Sequence, residues 1–380
     1  QWGGLLKKKK HSLLVIIILL CICLTIYFFM PHPPCSLSSF DKRAVWFAYG
    51  DLEQFSYESK ESFEEDFSQA IENIKDYKIN TVIVQVRAFS DALYASDLFP
   101  LSRVITHQES LSFDPLEVMI DIAHQQGMSI EAWVNPYRVS LNQASFEQFL
   151  NHSPHRDWLE DATQTIGYAT YQYILNPASQ SVRDYIVDGV KEVVENYDVD
   201  GIHFDDYFYV SGTHDGTTAN QRMDYVNMLI QDVYQTIKET DENVVFGISP
   251  QGNYENCLND GADIDTWLGE EGYIDYLMPQ IYWSDQYGED KKTTMFTDRC
   301  EQFAKIPRHQ GVMLYAGLAL YRAGGAVDED YGWQENSRNI ASQVQILYEN
   351  GYKGFSLFRY DSFLKESSIQ ELNELLRQHA

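Results

Sequence analysis

The sequence has little positive charge. Its 380 residues include 28 lysine and arginine residues against 56 aspartate and glutamate residues, and its formal net charge is −28 at pH 7. Four of the lysines, Lys7–Lys10, precede every acidic residue, so the rest of the chain is more acidic still. Nucleic acids bind to clusters of basic residues. The composition therefore argues against a nucleic-acid partner, and the aromatic content of 14% favours a neutral polar ligand such as a sugar.

Cysteine is also scarce. Cys21 and Cys23 lie in an apolar run, Cys35 follows that run, and Cys257 and Cys300 lie in the body of the chain. The sequence has no Cys-x-x-Cys pair and no Cys/His pair at zinc spacing, so we expect neither a structural metal nor a cofactor. A disulfide between Cys257 and Cys300 is compatible with a location outside the cell, but nothing in the sequence requires it.

One apolar run is long enough to cross a membrane. Leu13–Met30 contains no charged residue, and its length is at the short end of the roughly 17–25 residues that span a bilayer. Because Lys7–Lys10 precede it, the N-terminus should stay inside the cell and the remainder outside. A cleaved signal peptide is the alternative, but no small-x-small cleavage site follows the run before Pro31.

These features predict four segments. Residues 1–12 form a short basic cytoplasmic segment, residues 13–30 a transmembrane signal anchor and residues 31–42 a linker. Residues 43–380 form one domain, because no shift in composition marks a second one. We therefore expect a single-pass protein of the cell membrane with its domain on the outer side.

The domain alternates short β-rich runs with longer amphipathic runs. A strand–helix pattern repeated about eight times predicts a (β/α)8 TIM barrel of the α/β class. The predicted strands are Ala44–Ala48, Thr81–Arg87, Ser129–Asn135, Gly201–Asp205, Val244–Ser249, Ile274–Tyr282, Gly311–Leu318 and Gly354–Tyr360. The predicted helices are Phe63–Tyr77, Pro115–Gln126, Val182–Tyr197, Gln221–Thr240, Met295–Ile306 and Ser337–Asn350. Three long insertions, roughly Phe89–Phe113, Leu141–Asn176 and Val210–Asn220, follow strands and should lie on the catalytic face.

The alternation of side chains along each strand predicts which residues face the barrel axis. The β-branched residues of "TVIVQVR" suit the helix-facing side, and the same argument applies to the strands that follow. The predicted inward residues include Glu131, His203 and Gln280. Those at the strand exits should form a polar ring at the carboxyl-terminal mouth, and they are Arg87, Asn135, Asp205, Gln251 and Tyr282.

The stretch "VDGIHFDDYFY" is the least ordinary of these strand ends. Asp205 is its last inward residue, and Asp206 begins the loop that contains Tyr207. In many proteins such a pair merely caps the next element and faces solvent. Here the inward position of Asp205, the absence of a nearby helix start and the surrounding aromatic residues favour a functional site.

Several blocks together resemble a known family: "RAVWFAY", "AWVNPYR", "LNPASQSVRDYIVDGVKEVVENYDVDGIHFDDYFY", "ISPQGN" and "YLMPQIYW". The sequence resembles the glycosyl hydrolase-like family ten proteins of bacterial envelopes over most of its length. The resemblance implies a TIM barrel that cleaves a polysaccharide, above all the glycan strands of peptidoglycan. The fourth strand also loosely resembles the Gly-x-Arg-x-Asp pattern of alpha-amylase-like barrels, in which the Asp is the nucleophile; here Gly201, His203 and Asp205 occupy it.

The fifth strand departs from the alpha-amylase-like pattern. It ends in Ser249, Pro250 and Gln251, where those barrels have the Glu that acts as the general acid. Glycoside hydrolysis usually needs two carboxyl groups, so the second must come from elsewhere. We expect Asp205 to act as the nucleophile or as the base that orients an N-acetyl group. Asp206 is expected to be the general acid, since burial against aromatic rings and a charged neighbour both raise a carboxyl pKa.

Other residues have supporting roles in this interpretation. Asp285 is the substitute acid, whereas Glu131 is expected to be a buried partner of Arg87 or His203, and His203 either tunes the pKa of Asp205 or is simply packed. Sugar rings could stack on aromatic faces, here those of Tyr207, Tyr282 and Trp283. Hydroxyl and acyl groups of the substrate would be held by polar side chains, namely Arg87, Glu131, Asn135, Tyr137, Arg138, His203, Gln251 and Gln280.

Two other functional classes are compatible with the same residues. The absence of a Glu at the end of the fifth strand is also what a barrel that binds wall glycan without cleaving it would show. A metal-dependent hydrolase or deacetylase could instead use His203, Asp205 and Asp206 as ligands.

Overall fold

The structure, a computed structural model, describes residues 35–105, 110–205, 208–210 and 215–380. The predicted basic segment and the anchor Leu13–Met30 lie outside these ranges, as do Asp206 and Tyr207. Across the part of the chain that is described, no helix is both long and apolar enough to cross a membrane. Residues Ser36–Ala380 form one compact body.

Eight parallel strands form a closed barrel, as the sequence predicts. They are β1 (Lys42–Phe47), β2 (Thr81–Arg87), β3 (Ser129–Val134), β7 (Gly201–Asp205), β8 (Val245–Ser249), β9 (Tyr276–Leu277), β10 (Met313–Leu318) and β11 (Gly354–Leu357). Neighbours follow the chain order around the barrel, and β1 pairs with β11 to close it. The bounds of β2 and β7 match the prediction. The strand predicted over Ile274–Tyr282 is mostly irregular, because Pro279 has no N–H to donate to a strand ladder.

Helices connect the strands on the outside. They are α1 (Tyr49–Leu52), α2 (Lys60–Lys75), α3 (Pro115–Gln125), α4 (Gln143–His152), α5 (Gln180–Asn196), α6 (Ala219–Thr240), α7 (Tyr254–Asn259), α8 (Ile264–Gly269), α9 (Met295–Ala304), α10 (Gly332–Glu335), α11 (Asn339–Glu349) and α12 (Glu366–His379). Short polar residues begin several of them: Ser59, Asp114 and Thr218 each accept backbone N–H groups of the first turn. These side chains satisfy donors that would otherwise lack a partner in the helix.

The insertion after β3 forms a second, small sheet. Its antiparallel strands are β4 (Arg138–Ser140), β5 (Thr165–Ala169) and β6 (Gln172–Leu175), in the order β4-β6-β5. Helix α4 and the 3-10 turn Arg156–Glu160 lie between β4 and β5 in the chain. The insertion begins at Arg138, three residues beyond the predicted exit of β3, so it stands at the barrel mouth.

The lower interior of the barrel is filled by inward side chains. Ile83, Trp133 and Met278 pack in one buried cluster with Trp46 and Tyr276. Gly247 makes room for the phenol of Tyr276, since a Cβ at this position would lie 1.9 Å from the ring. Cys257 and Cys300 are buried and do not form a disulfide.

Candidate active site

A cleft of about 490 Å³ opens at the carboxyl ends of the barrel strands. This is the face on which TIM-barrel enzymes carry their chemistry. Strands β1, β2, β3, β7 and β8, the segments after β9 and β11, and the start of the insertion all contribute to it. The lining residues are Trp46, Ala48, Tyr49, Gly50, Gln85, Trp133, Arg138, Leu141, Asp205, Ser249, Gln280, Tyr282, Phe358 and Arg359.

Asp205 is held from two sides at the floor of this cleft. Its Oδ2 accepts a hydrogen bond of 2.9 Å from Asn135 Nδ2, and its Oδ1 accepts one of 2.8 Å from Gln280 Nε2. Gln85 Nε2 in turn donates to Asn135 Oδ1 at 2.6 Å, which fixes the direction of the Asn135 amide. Arg138 brings a positive charge within 3.6 Å of Asp205 Oδ2. The site therefore holds one carboxylate in a fixed orientation. Asp205 is 7% exposed.

Aromatic side chains form much of the cleft wall. Tyr282 lies beside Phe358, with ring centroids 5.7 Å apart, and Trp46 lies 5.9 Å from Phe358. Trp133 lines the cleft from β3. Flat apolar faces around a few polar groups suit a sugar ring, which has apolar faces and hydroxyl edges.

His203 lies fully buried beneath the cleft floor. Its Nε2 accepts from Trp46 Nε1 at 3.2 Å and lies 2.9 Å from Ser249 Oγ. Because an indole N–H can only donate, Nε2 carries no proton, and the proton of the neutral ring is on Nδ1, 2.6 Å from the Tyr276 hydroxyl. Burial, helped by the charge of Lys42, lowers the pKa of His203 well below its ordinary value. His203 therefore supports Trp46 and Ser249 as a neutral ring.

Glu131 has a different partner from the two that the sequence suggests. Its carboxylate pairs with Lys42 and accepts a hydrogen bond of 2.5 Å from the Tyr276 hydroxyl. The expectation that it pairs with Arg87 or His203 is wrong for a direct contact, although Tyr276 links it to His203. Lys42 was assigned to the linker, but it is the first residue of β1 and points into the barrel.

Arg87 and Tyr137 lie away from the cleft. The register of β2 shifts between Gln85 and Arg87, and this irregularity turns Arg87 outward. Its guanidinium lies 4.4 Å from the ring centre of Phe99 and close to Gly189 of α5. Tyr137 is fully buried, with its ring 6.4 Å from that of Phe208. The predicted inward orientation of Arg87 is therefore wrong.

Three further predicted residues make contacts outside the cleft lining. Gln251 donates to Asp260 at 2.9 Å. Trp283 packs near Gly252 and Arg299. Asp285 accepts hydrogen bonds from the backbone N–H of Thr297, at 2.9 Å, and from its hydroxyl, at 2.6 Å, in the first turn of α9. Asp285 thus acts as a helix cap.

The second carboxyl group is not found among the described cleft residues. Of those that line the cleft, Asp205 alone carries a carboxyl group. Asp206 and Tyr207 fall outside the described ranges. Among the described residues there is also no group of three or more His, Cys, Asp or Glu side chains placed to hold a metal ion.

Arg359 stands at the rim of the cleft, above a buried carboxyl group. Its guanidinium lies 3.7 Å from Asp51 Oδ2 and 3.2 Å from Asp361 Oδ2. Asp51 also accepts the backbone N–H groups of Ala48, at 2.9 Å, and Asp361, at 3.0 Å. It therefore joins the segment after β1 to the segment after β11. Burial raises the pKa of Asp51 to about 6.

The pKa of Asp51 predicts a pH-dependent stability. Its folded-state pKa lies above its ordinary value of 3.8, so its contribution to the free energy of unfolding is fully present below pH 3.8 and is lost as the pH rises through about 6. The loss amounts to at most about 3 kcal/mol. Urea unfolding of the wild type and of Asp51→Asn between pH 3.5 and 7 should show the wild type losing this advantage over the variant.

Asp361→Asn provides the matched control. Burial opposes ionisation of Asp361, but the hydrogen bond from Lys365 and the charge of Arg359 outweigh it and lower its pKa. Its contribution should therefore change in the opposite direction and disappear as the pH falls below 3.8. Parallel stability curves for the wild type and Asp51→Asn would show that Asp51 does not titrate in this range.

The barrel and its cleft lie in a region that matches a known protein family. The model of the family described as Glycosyl hydrolase-like 10 matches residues 41–221 and 210–335. The chain belongs to this family. The match includes Asp205, Asn135 and Gln280, and thus the centre of the cleft.

Two relatives carry similar sequences over most of this chain. Glycosyl hydrolase DigH of Escherichia coli (strain K12) is 28% identical over 351 residues, which cover 80% of this chain and 77% of DigH. Glycosyl hydrolase YngK of Bacillus subtilis (strain 168) is 28% identical over 359 residues, which cover 83% of this chain and 68% of YngK. Both relatives are named as glycosyl hydrolases.

Solved structures share the barrel at low sequence identity. The endo-1,4-beta-mannanase of Rhizomucor miehei has a TM-score of 0.55 at 11% identity and covers 89% of this chain and 95% of its own. Alpha-L-fucosidase isoenzyme 2 of Paenibacillus thiaminolyticus has a TM-score of 0.52 at 13% identity, with coverage of 88% and 48%. At these identities the similarity shows the fold alone.

The structure adds cleft residues that the sequence interpretation did not include. Trp46 and Tyr49 come from the end of β1 and the segment after it, and Phe358 and Arg359 come from the end of β11. Gln85 of β2 also lines the cleft and was not assigned to the site. A signal existed for Trp46 and Phe358, since both occupy inward positions by the same side-chain alternation that selected Asp205.

Proposed function

We propose that this family member is a glycoside hydrolase that cleaves the glycan strands of peptidoglycan. The observation that supports this most is the fixed carboxylate of Asp205, held by Asn135 and Gln280 in a cleft walled by aromatic rings. A positioned carboxylate beside a sugar-sized cleft is what glycosidic bond cleavage needs. The family membership and the names of DigH and YngK support the same reaction class.

In the proposed mechanism Asp205 acts at the anomeric carbon. Either its carboxylate attacks that carbon, or it orients an N-acetyl group of the sugar whose oxygen attacks instead. The bond to the leaving-group oxygen breaks as a general acid, proposed to be Asp206, protonates that oxygen. Water then attacks the anomeric carbon, and the acid residue, now a base, accepts the proton of that water. Asn135 and Gln280 keep Asp205 in the orientation that these reaction steps require.

The choice of peptidoglycan rests on the chemistry of its sugars. Both carry N-acetyl groups, and one carries a lactyl carboxyl group. Arg138 and Arg359 line the cleft, and their guanidinium groups, which also contact Asp205 and Asp51, place two positive charges where such a carboxyl would bind. The proposed location follows from Leu13–Met30, which as a membrane anchor would place the barrel outside the cell, facing the wall.

Product analysis tests this proposal. Purified wall glycan incubated with the protein should yield soluble saccharides with new reducing ends, identified by mass spectrometry. The alternative, a barrel that only binds glycan, is motivated by Ser249-Pro250-Gln251 at the end of β8. It predicts sedimentation with insoluble glycan and no soluble product. That outcome would overturn the proposed hydrolase.

A further inference from the structure

One exposed aromatic ring adjoins the aromatic wall of the cleft. Tyr321 is 39% exposed and lies in the 3-10 turn Leu320–Arg322, which follows β10 at the carboxyl end of the barrel. Its ring centroid lies 5.9 Å from that of Tyr282 and 5.7 Å from that of Phe358, and both of these residues line the cleft. The backbone N–H of Tyr321 also donates to the Phe358 carbonyl at 3.0 Å. Tyr321 therefore continues the aromatic wall outward from the cleft lining.

This contact distinguishes Tyr321 from the other strongly exposed aromatic residues in the described part of the chain. These are Tyr171 and Tyr348, and each packs against a ring that does not line the cleft. Tyr171 packs against Phe146, and Tyr348 packs against Phe40. A single exposed apolar side chain is ordinary on a protein surface. An exposed ring that is continuous with a ligand-sized cleft is instead a candidate extension of that cleft.

The Tyr321 ring is held in place from several sides. Arg322 Nε donates to the Tyr321 hydroxyl at 3.0 Å, and the guanidinium lies 5.6 Å from the ring centre. Arg322 in turn lies 3.6 Å from a carboxylate oxygen of Asp330. Asp330 is fully buried and accepts hydrogen bonds from the backbone of Ser284 and from the indole of Trp333. A ring fixed in this way loses little conformational freedom when a ligand binds to it.

We propose that Tyr321, supported by Tyr282 and Phe358, forms a rim subsite on which a pyranose ring stacks while another unit of the same glycan chain is cleaved at Asp205. The apolar face of a sugar ring suits an aromatic face. The occupant belongs to the substrate chain because the Tyr321 ring contacts two rings of the cleft in which cleavage is proposed. This inference rests on the proposed hydrolase function and deepens it toward a preference for substrates of several sugar units.

Tyr321→Ala removes the ring of the rim subsite. For glycan strands released from purified wall, KM should rise roughly two- to ten-fold, the effect of one lost aromatic contact, with kcat unchanged. A 4-nitrophenyl monosaccharide of the same sugar does not extend beyond the unit at Asp205, so both of its constants should stay as in the wild type. Urea unfolding verifies that the variant is folded.

Two further variants serve as controls. Tyr321→Phe keeps the ring and loses only the hydroxyl that accepts from Arg322, so it should keep the wild-type KM on long strands. Tyr348→Ala removes another exposed tyrosine, 46% exposed on α11, and should change the constants of neither substrate.

Three results would overturn the inference. Unchanged KM of Tyr321→Ala on long strands would mean that the ring binds no sugar. An equal loss on both substrates would mean that the ring only shapes the cleft, and an equal loss in Tyr321→Phe would mean that stacking is not the interaction. A wild type that releases no product would overturn the proposed hydrolase instead. The rim subsite is then tested by sedimentation with insoluble glycan, where weaker retention of Tyr321→Ala than of the wild type supports it and equal retention refutes it.

Discussion

Asp205→Asn should reduce the release of reducing ends from wall glycan by about 10³-fold or more. The substitution keeps the shape of the side chain and removes the negative charge that attacks the anomeric carbon or orients the N-acetyl group; losses of roughly 10²–10⁴-fold are typical when a positioned acid or base is lost. The fold should survive. The single oxygen of the new amide still accepts from Asn135 or Gln280. The new NH2 group then faces the other donor, and this unfavourable contact costs about 1–3 kcal/mol. Rates are measured on purified glycan and folding by urea unfolding.

Asp285→Asn is the matched control for the loss of a carboxylate. Asp285 caps the first turn of α9 through Thr297, and an Asn oxygen can still accept the Thr297 N–H, so this variant should lose less than about 1 kcal/mol of stability and keep its activity. Near-complete inactivation of Asp285→Asn would revive its sequence-based assignment as the substitute acid. Full activity of Asp205→Asn would remove the central residue of the proposed mechanism.

Strand periodicity was sufficient to predict the barrel and the centre of its cleft. The eight predicted strands correspond in order to the observed ones, because a buried parallel strand consists of a short apolar run that side-chain alternation can orient. Asn135 and Asp205 were assigned to the mouth and Gln280 to the inward side of its strand on this basis, and hydrogen bonds connect all three in the structure. Asp205 ends a regular strand, whereas Asn135 and Gln280 lie just beyond the ends of β3 and β9 and still point inward to Asp205.

Side-chain alternation gives the wrong direction at other positions. One register shift in β2 reverses the orientation of Arg87, since an extra residue exchanges the two faces of a strand. Gln251 follows Pro250 beyond the end of β8, and its side chain turns to Asp260. The pairing of Lys42 with Glu131 depends on barrel closure and on the first residue of β1, and local sequence contains no signal for either.

Barrel closure also explains why the sequence interpretation missed part of the aromatic wall of the cleft. Trp46 and Phe358 are 312 positions apart in the chain, yet their rings lie 5.9 Å apart because β1 pairs with β11. His203 then orients Trp46 from below through the indole N–H. The sequence contains each of these aromatic side chains, but only the pairing of β1 with β11 shows that they form one surface above the neutral imidazole of His203.

Asp206→Ala should separate the proposed acid from the proposed nucleophile. Natural glycan has a poor leaving group that must be protonated, so cleavage should fall by roughly 10²–10⁴-fold. The nitrophenolate of a 4-nitrophenyl glycoside of the same sugar departs without protonation, so the variant should keep most of its kcat/KM on that substrate, which reports this first step, although loss of the base slows the second step. The decline in rate at high pH, which reports ionisation of the acid, should also disappear from the pH profile on the aryl glycoside.

Asp206 is selected as the acid by elimination and by its position in the chain. Glu131 is paired with Lys42 beneath the floor, Asp285 caps α9, and Asp205 is the one carboxyl group among the described residues that line the cleft. Asp206 directly follows Asp205 and remains the candidate acid. Asp205→Ala should fail on both substrates, because every proposed route needs its carboxylate before the leaving group departs. If the two variants lose the same fraction of their rate on the aryl glycoside, Asp206 is not the acid, and the proton must come from another group or from the substrate itself.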